Sequence, residues 1–215
     1  MTHVRIDGRE IRVSSIYCIG RNYAAHAAEM GSRVEDHPMV FLKPLTALLA
    51  PGVATLPPFS ADVHHEAELV VLIGEGGVDI PAASALQHVA AYAIGVDLTA
   101  RDVQAELKKK GHPWTLAKGF RGSAWVSDFV PAAAVPDPAA LEFTLAVNGE
   151  PRQHGVVGRM VFDVPTLIAH ISSVYGLAAG DLIYSGTPEG VGPLRHGDRV
   201  DLDLIGHVGA SWSVA

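Results

Sequence analysis

The segment Ala67-Glu68-Leu69-Val70-Val71-Leu72-Ile73, stopped by Gly74, Gly76 and Gly77, constrains the fold more than any other stretch of this chain. A short apolar run closed by turn-forming glycines is the pattern of a buried strand. Its entrance, His64-His65-Glu66, is polar. Side chains alternate along a strand, so Glu66 and Glu68 point the same way and two carboxylates converge at the mouth of an apolar strand. Such a pair holds a cation, shares a proton, or turns apart into water. For an isolated Glu-x-Glu the solvated strand is the commoner outcome.

Asp97 adds a third carboxylate. It follows the apolar segment Val89–Val96, expected to be helix running into strand, where an unpaired charge is costly to bury. Three oxygen ligands suit magnesium or manganese, hard ions that accept carboxylates and water and leave positions for a chelating ligand. Zinc would normally recruit Cys or His. His64 and His65 keep it formally open, but neighbours on a strand face opposite sides, so at most one turns toward the carboxylates. Both stay outside the expected site.

The 215 residues suffice for one domain with a substantial core, and 22 Gly with 14 Pro among 48% apolar residues indicate a turn-rich globular fold. The Pro/Ala segment Pro131–Pro138 is short enough to be a connection inside it. With a net charge of −7, and only Lys108–Lys110 as a basic run, nucleic acid is not an expected partner. The first residues lack an apolar signal core, and no stretch reaches the ~20 apolar residues of a membrane span. A cytoplasmic protein without a membrane partner is the expectation. Cys18 stands alone in an apolar stretch, where it reads as buried filling rather than a nucleophile.

Local signals predict mixed α/β structure with a β-rich core. Asn22 is placed to cap a helix over Tyr23–Met30, with Gly31 just past its end. Thr99 and Asp102 have capping-box spacing before a helix over Arg101–Lys110, closed by Gly111. Glu142–Val147 followed by Asn148-Gly149 reads as strand and hairpin turn, Val164–Tyr175 as helix, and Asp181–Ser185 and Arg199–Leu204 as extended.

Other residues could carry chemistry around those carboxylates. His26 and Glu29 share a helix face, where Glu29 could orient the imidazole as a general base; an ordinary surface pair has the same spacing. Arg101 and Gln104 share a face just after Asp97 and could reach an anionic ligand. Lys118 is a lone cation among small and apolar neighbours. The run Ser185–Gly192 can offer backbone N–H groups and the Thr187 hydroxyl to a carboxylate, although such glycine loops are often plain turns.

Taken in order, Ile19-Gly20-Arg21-Asn22-Tyr23-Ala24-Ala25-His26, Phe41-Leu42-Lys43-Pro44 and His65-Glu66-Ala67-Glu68-Leu69 resemble the signature of the fumarylacetoacetate hydrolase superfamily. Asp97–Gln104, Lys108–Gly111, Pro113–Lys118 and Gly186-Thr187-Pro188 continue the likeness, toward its single-domain acylpyruvase and oxaloacetate decarboxylase branch. The resemblance spans nearly the whole chain. It implies a mixed β-roll like the C-terminal domain of that family, usually dimeric, with Mg²⁺ or Mn²⁺ held by Glu66, Glu68 and Asp97. It also implies that His26 and Glu29 form a water-activating dyad on a mobile lid, with Arg21 and Tyr23 flanking the lid entrance. Arg101, Gln104, Lys118, Gly186 and Thr187 would contact the substrate.

The activity so implied is hydrolysis of a carbon–carbon bond in an acylpyruvate, acetylpyruvate or fumarylpyruvate in class, to release pyruvate. Oxaloacetate decarboxylation at the same site is the alternative, and a non-catalytic 2-oxo-acid binder is the alternative of another class. The extra N-terminal domain of two-domain fumarylacetoacetases is not matched, which argues against fumarylacetoacetate itself. Glu189 stands where related sequences often carry a basic residue.

Overall fold

The computed structural model describes residues 2–33 and 35–215. A hairpin of β1 (His3–Ile6) and β2 (Arg9–Arg12) precedes β3 (Ile16–Gly20), α1 (Ala24–Glu29) and β4 (Met39–Lys43). Short β5 (Leu48–Leu49), β6 (Gly52–Ala54) and β7 (Val63–His65) lead to the long antiparallel pair β8 (Ala67–Ile73) and β9 (Val89–Asp97). Next come β10 (Thr99–Ala100), α2 (Arg101–Lys110), α3 (Thr115–Lys118), β11 (Ala124–Val126) and β12 (Val130–Pro131). The chain closes with β13 (Glu142–Val147), β14 (Glu150–Val156), α4 (Val164–Tyr175), β15 (Leu182–Tyr184), β16 (Gly192–Pro193), β17 (Arg199–Leu204) and β18 (Val208–Val214).

β8 and β9 sit centrally in the main sheet, ordered β4-β3-β15-β8-β9-β11-β5 with β12 also on β9. Every residue of β8 is buried, because the strand has a core on each face. Leu69, Val71 and Ile73 join the larger cluster with Trp125 and Trp212, while Val70 and Leu72 join a second one with Ile16, Cys18 and Ala93. Burying each of these aliphatic side chains contributes roughly 1.5–3 kcal/mol before entropy is counted. The apolar run without alternation is the sequence trace of this two-sided burial.

A second sheet, ordered β14-β13-β17-β18-β6, covers the Leu69 face. The Trp125 and Trp212 rings stack across the junction, centroids 5.2 Å apart. The two layers curl around this shared core, giving the expected β-rich mixed α/β roll. The hairpin between β13 and β14 turns at Asn148 and Gly149, with φ 55° and 81°, values that the Asn-Gly pair accommodates.

Three local expectations need correction. Val89–Val96 is strand throughout, the helical turns lying earlier at Ala82–His88 as 3-10 helix. The Thr99–Asp102 capping box does not form: α2 is capped by Ala100 without a side-chain bond. Thr99 donates to Glu66 Oε1 at 2.9 Å, and Asp102 accepts from Ser60 Oγ at 2.6 Å. Asn22 caps nothing either, since the residue before α1 is Tyr23. Its amide donates to the carbonyls of Phe162 (2.9 Å) and Ser185 (2.8 Å) and accepts from Phe162 N–H (2.8 Å). These tertiary bonds satisfy backbone groups of Phe162 and Ser185 and outcompete the local cap. The expected ends at Gly31 and Gly111 match left-handed residues, φ 59° and 65°.

Candidate active site

Three connections of the main sheet bring the carboxylates together. Glu66 lies at the break between β7 and β8, Glu68 pairs opposite Gly95 of β9, and Asp97 ends β9 with its N–H bonded to the Glu66 carbonyl at 2.8 Å. All three are buried, and one oxygen of each lies within 4.8 Å of the others. So much negative charge in one dry place must be compensated.

Cations supply part of that compensation. Lys118 Nζ, from α3, donates to Glu66 Oε2 and Asp97 Oδ2, both at 2.7 Å. Arg101 Nη2 donates to Glu66 Oε1 at 2.6 Å, while its Nη1 bonds Gln104 Oε1 at 2.9 Å. Burial alone would push the Glu66 carboxyl up, but Lys118, Arg101 and His26 together hold it well below the usual range. Burial likewise opposes the Lys118 ammonium, and Asp97 and Glu66 outweigh it, so its pKa is raised. Lys118 is a fixed positive charge.

Glu68 is different. Its hydrogen bond comes from the backbone N–H of Gly186 at 2.7 Å, and no cation pairs with it among the described residues. Burial, then Asp97 and Glu66, push its pKa well above normal. Asp97 Oδ1 is buried and faces the Lys43 ammonium at 2.6 Å. This is an oxygen-only donor set suited to a hard divalent cation, which would relieve the repulsion at Glu68. His65 and His64 lie outside this donor set, bonded to Gln153 Oε1 and Asp62 Oδ1, each at 2.9 Å.

Lys43, on β4, is a site residue that the sequence alone does not single out. It is 3% exposed, with Nζ 2.6 Å from Asp97 Oδ1 and bonded to the carbonyls of Leu98 (3.3 Å), Ser123 (3.0 Å) and Lys118 and to Ser123 Oγ (3.0 Å). The ammonium thus ties Asp97 to the backbone of Leu98, Lys118 and Ser123. A lysine set in Phe41-Leu42-Lys43-Pro44 has the same apolar context that marks Lys118. Lys43→Met is expected to lower folding stability by about 3–5 kcal/mol, by stranding Asp97 and several carbonyls. Urea unfolding would check this, and a loss under 1 kcal/mol would contradict it.

The cleft above the carboxylates is lined by Arg21, His26, Glu66, Arg101, Gln104, Lys108, Lys118 and Thr187, with Phe41 and Trp114 as apolar wall. His26 Nδ1 is 3.3 Å from Glu29 Oε2, so Nε2 is the nitrogen left for the cleft. Glu29 also accepts the Gly190 N–H at 3.2 Å and so ties α1 to the glycine loop. Arg21 pairs with Glu35 at 2.5 Å. Tyr23 is buried behind the rim, its hydroxyl without a partner among the described residues. Gly186 is placed under the site rather than over it: its N–H is spent on Glu68, and its φ of 100° with Asn22 Cβ 2.6 Å from any added Cβ leaves room for glycine alone. The cavity volume is about 40 Å³, room for ordered water, with α1 where it lies.

Comparison with known proteins agrees with this fold. The family model described as fumarylacetoacetate (FAA) hydrolase C-terminal matches residues 15–211. Oxaloacetate tautomerase FAHD1, mitochondrial, of Mus musculus is 49% identical over 201 residues, covering 93% of this chain and 91% of its own. The Arabidopsis thaliana protein of the same name is 44% identical over 194 residues, covering 90% and 87%. Among solved structures, fumarylpyruvate hydrolase from Pseudomonas aeruginosa, in complex with Mn²⁺ and pyruvate, superposes with a TM-score of 0.95 at 37% identity, covering 99% of this chain and 95% of that one. Among the described residues, no helix is long and apolar enough to cross a membrane.

Proposed function

Since this chain belongs to the fumarylacetoacetate hydrolase family, we propose that it is a metal-dependent enzyme that cleaves acylpyruvate-type 2-oxo acids to release pyruvate. The observation that carries this reading is the buried cluster of Glu66, Glu68 and Asp97, in which no cation pairs with Glu68 among the described residues, next to a cationic cleft that Glu66 lines. Both sheets reach that site, which supports treating 1–215 as one catalytic unit. Magnesium and manganese both suit the oxygen donors; the Pseudomonas relative's manganese favours neither for this chain.

A divalent cation held there supplies Lewis acidity to the oxo-acid end of the substrate. Arg101 and Gln104, already joined by a hydrogen bond, orient the substrate carboxylate. His26 Nε2 removes a proton from the attacking water, and Glu29 stabilises the imidazolium through Nδ1. The new carbon–oxygen bond forms at the distal carbonyl, the carbon–carbon bond breaks, and its electrons collect as pyruvate enolate. His26 then returns its proton to the enolate carbon. Lys118 adds fixed positive charge where the enolate forms, in a site from which α1 excludes water. The lid role that the resemblance implies for α1 would have it lift for entry and close afterwards.

A second reading is proton transfer within oxaloacetate, or its decarboxylation, neither of which needs an attacking water. The charge at the rim favours a substrate with a second carboxylate. Lys108 joins none of the ion pairs among the described residues and sits with Nζ 5.2 Å from the Trp114 ring centre. Burial, then Arg101, Arg21 and Lys118, lower its pKa, the mark of a cation crowded by cations. Lys108→Met is expected to cut kcat/KM for fumarylpyruvate or oxaloacetate by about tenfold, one charge-assisted hydrogen bond, and to spare acetylpyruvate. Equal losses on all three would contradict the assignment.

The test of the function is pyruvate release from acetylpyruvate, fumarylpyruvate and oxaloacetate, with enol absorbance followed alongside, in Mg²⁺, in Mn²⁺ and after chelation. Turnover of at least one acid with metal and its loss on chelation are expected. No turnover of any would overturn the reading. We also propose a homodimer, supported by exposed Val53 and Phe59 beside Leu56, Pro57 and Pro58; a monomeric mass by sedimentation would refute it.

A further inference from the structure

Thr187 lines the cleft, and its hydroxyl can act there as donor or acceptor. The choice is made on the far side by Gln153 of β14, buried at 3% exposure and contributed by the second sheet. Its Oε1 accepts the Ala67 N–H at 3.0 Å, and its Nε2 faces the Pro188 carbonyl at 3.0 Å. A backbone N–H can only donate and a proline carbonyl can only accept, so the orientation of the Gln153 amide is fixed from both ends. Nε2 therefore donates to Thr187 Oγ1, at 2.8 Å. His65 Nδ1, 2.9 Å from the same Oε1, must carry its hydrogen.

With a lone pair of Thr187 Oγ1 taken by Gln153, the remaining hydrogen has no protein acceptor among the described residues and is free to point into the cleft. We propose that Gln153 is a positioning residue that makes the Thr187 hydroxyl a hydrogen-bond donor to the substrate, selecting an anionic oxygen, carboxylate or enolate, at that position. This builds on the functional reading above, because it needs an oxo acid in the cleft. The same amide also grips the backbone between Glu66 and Glu68, so the roof of the cleft and its carboxylate floor share one anchor on the second sheet.

The experiment is a double-mutant cycle on Gln153→Met and Thr187→Val, read as binding of oxalate, a planar analogue of pyruvate enolate, to the Mn²⁺-loaded protein. Each variant alone is expected to weaken oxalate by about tenfold, as for one hydrogen bond to a charged oxygen. The double variant should be no weaker than either, with Mn²⁺ affinity unchanged throughout. Losses that multiply to about 100-fold, or a fall in Mn²⁺ affinity in Gln153→Met alone, would overturn the proposal, because Gln153 would then act on the carboxylates through Ala67. A second readout needs neither metal nor substrate and does not depend on any variant folding: ¹⁵N shifts of His65 in the native protein should give the Nδ1–H tautomer. The Nε2–H tautomer would reverse the amide and refute the relay. Failure of the native Mn²⁺ protein to bind oxalate would contradict the functional reading, leaving His65 to judge the amide orientation separately.

Discussion

Glu68→Gln is expected to reduce turnover at least about 100-fold and to abolish the stabilisation that Mg²⁺ or Mn²⁺ gives the folded protein. Removing a metal ligand should cost no less than the 10–100-fold typical of groups that only support one. Metal at about 100 times its dissociation constant stabilises a protein that binds it only when folded by ~2.7 kcal/mol. For a chain of this length that is on the order of 5–10 °C in Tm. The variant should show no such shift.

Without metal the sign reverses. Burial, Asp97 and Glu66 raise the Glu68 pKa in the fold, so its contribution to stability is fully present below the unfolded carboxyl pKa of about 4.3. It is lost as pH rises through the folded value. Glutamine keeps an acceptor for the Gly186 N–H and carries no charge, so metal-free Glu68→Gln should melt above metal-free wild type at pH 7. A variant that lost stability without metal yet kept the metal-induced shift would show Glu68 to be a structural acid only.

The second large effect is expected at His26. His26→Ala should depress hydrolysis by about 10²–10⁴-fold, the range of a positioned general base, while metal affinity stays within about twofold. Oxaloacetate decarboxylation, which needs no activated water, should fall much less, and enol–keto transfer should track hydrolysis. Steady-state rates on fumarylpyruvate and oxaloacetate with the same enzyme stock would measure this directly. Equal losses in hydrolysis and decarboxylation would remove His26 from the role of water activator and leave it as a wall of the cleft. Glu29→Gln is informative beside it, since it removes the charge behind the imidazole yet keeps an acceptor for the Gly190 N–H.

Much of this architecture is legible in the amino-acid order because it depends on near neighbours. Glu66 and Glu68, two residues apart at the entrance of β8, bring their carboxylates together, Gly111 ends α2, and Asn148-Gly149 makes a hairpin; each depends on backbone geometry over a few residues. The bonds that local spacing does not show depend on distant partners. Thr99 and Asp102 have the spacing of a cap but bond Glu66 and Ser60, and Asn22 turns from α1 to hold Phe162 and Ser185. Local spacing cannot register a buried acceptor brought in from 33 or 140 residues away.

The same limit explains Lys43 and Gln153. Lys43 has a local signature, a single cation in an apolar strand next to proline, but its partner Asp97 comes from another strand. Gln153 has none, for it lies on a hairpin of the second sheet, and its importance comes from the opposing demands of Ala67 and Pro188. Likewise, the sequence suggests Gly186 as a donor to substrate, whereas the fold spends that N–H on Glu68.

Anomalous scattering from a crystal grown with Mn²⁺ and oxalate tests the central claim most directly. The account predicts a single strong manganese peak bounded by oxygens of Glu66, Glu68 and Asp97, with both oxalate carboxylates completing its coordination. Manganese bound elsewhere, with the Lys118 ammonium still bridging Glu66 and Asp97 and oxalate absent from the cleft, would contradict it.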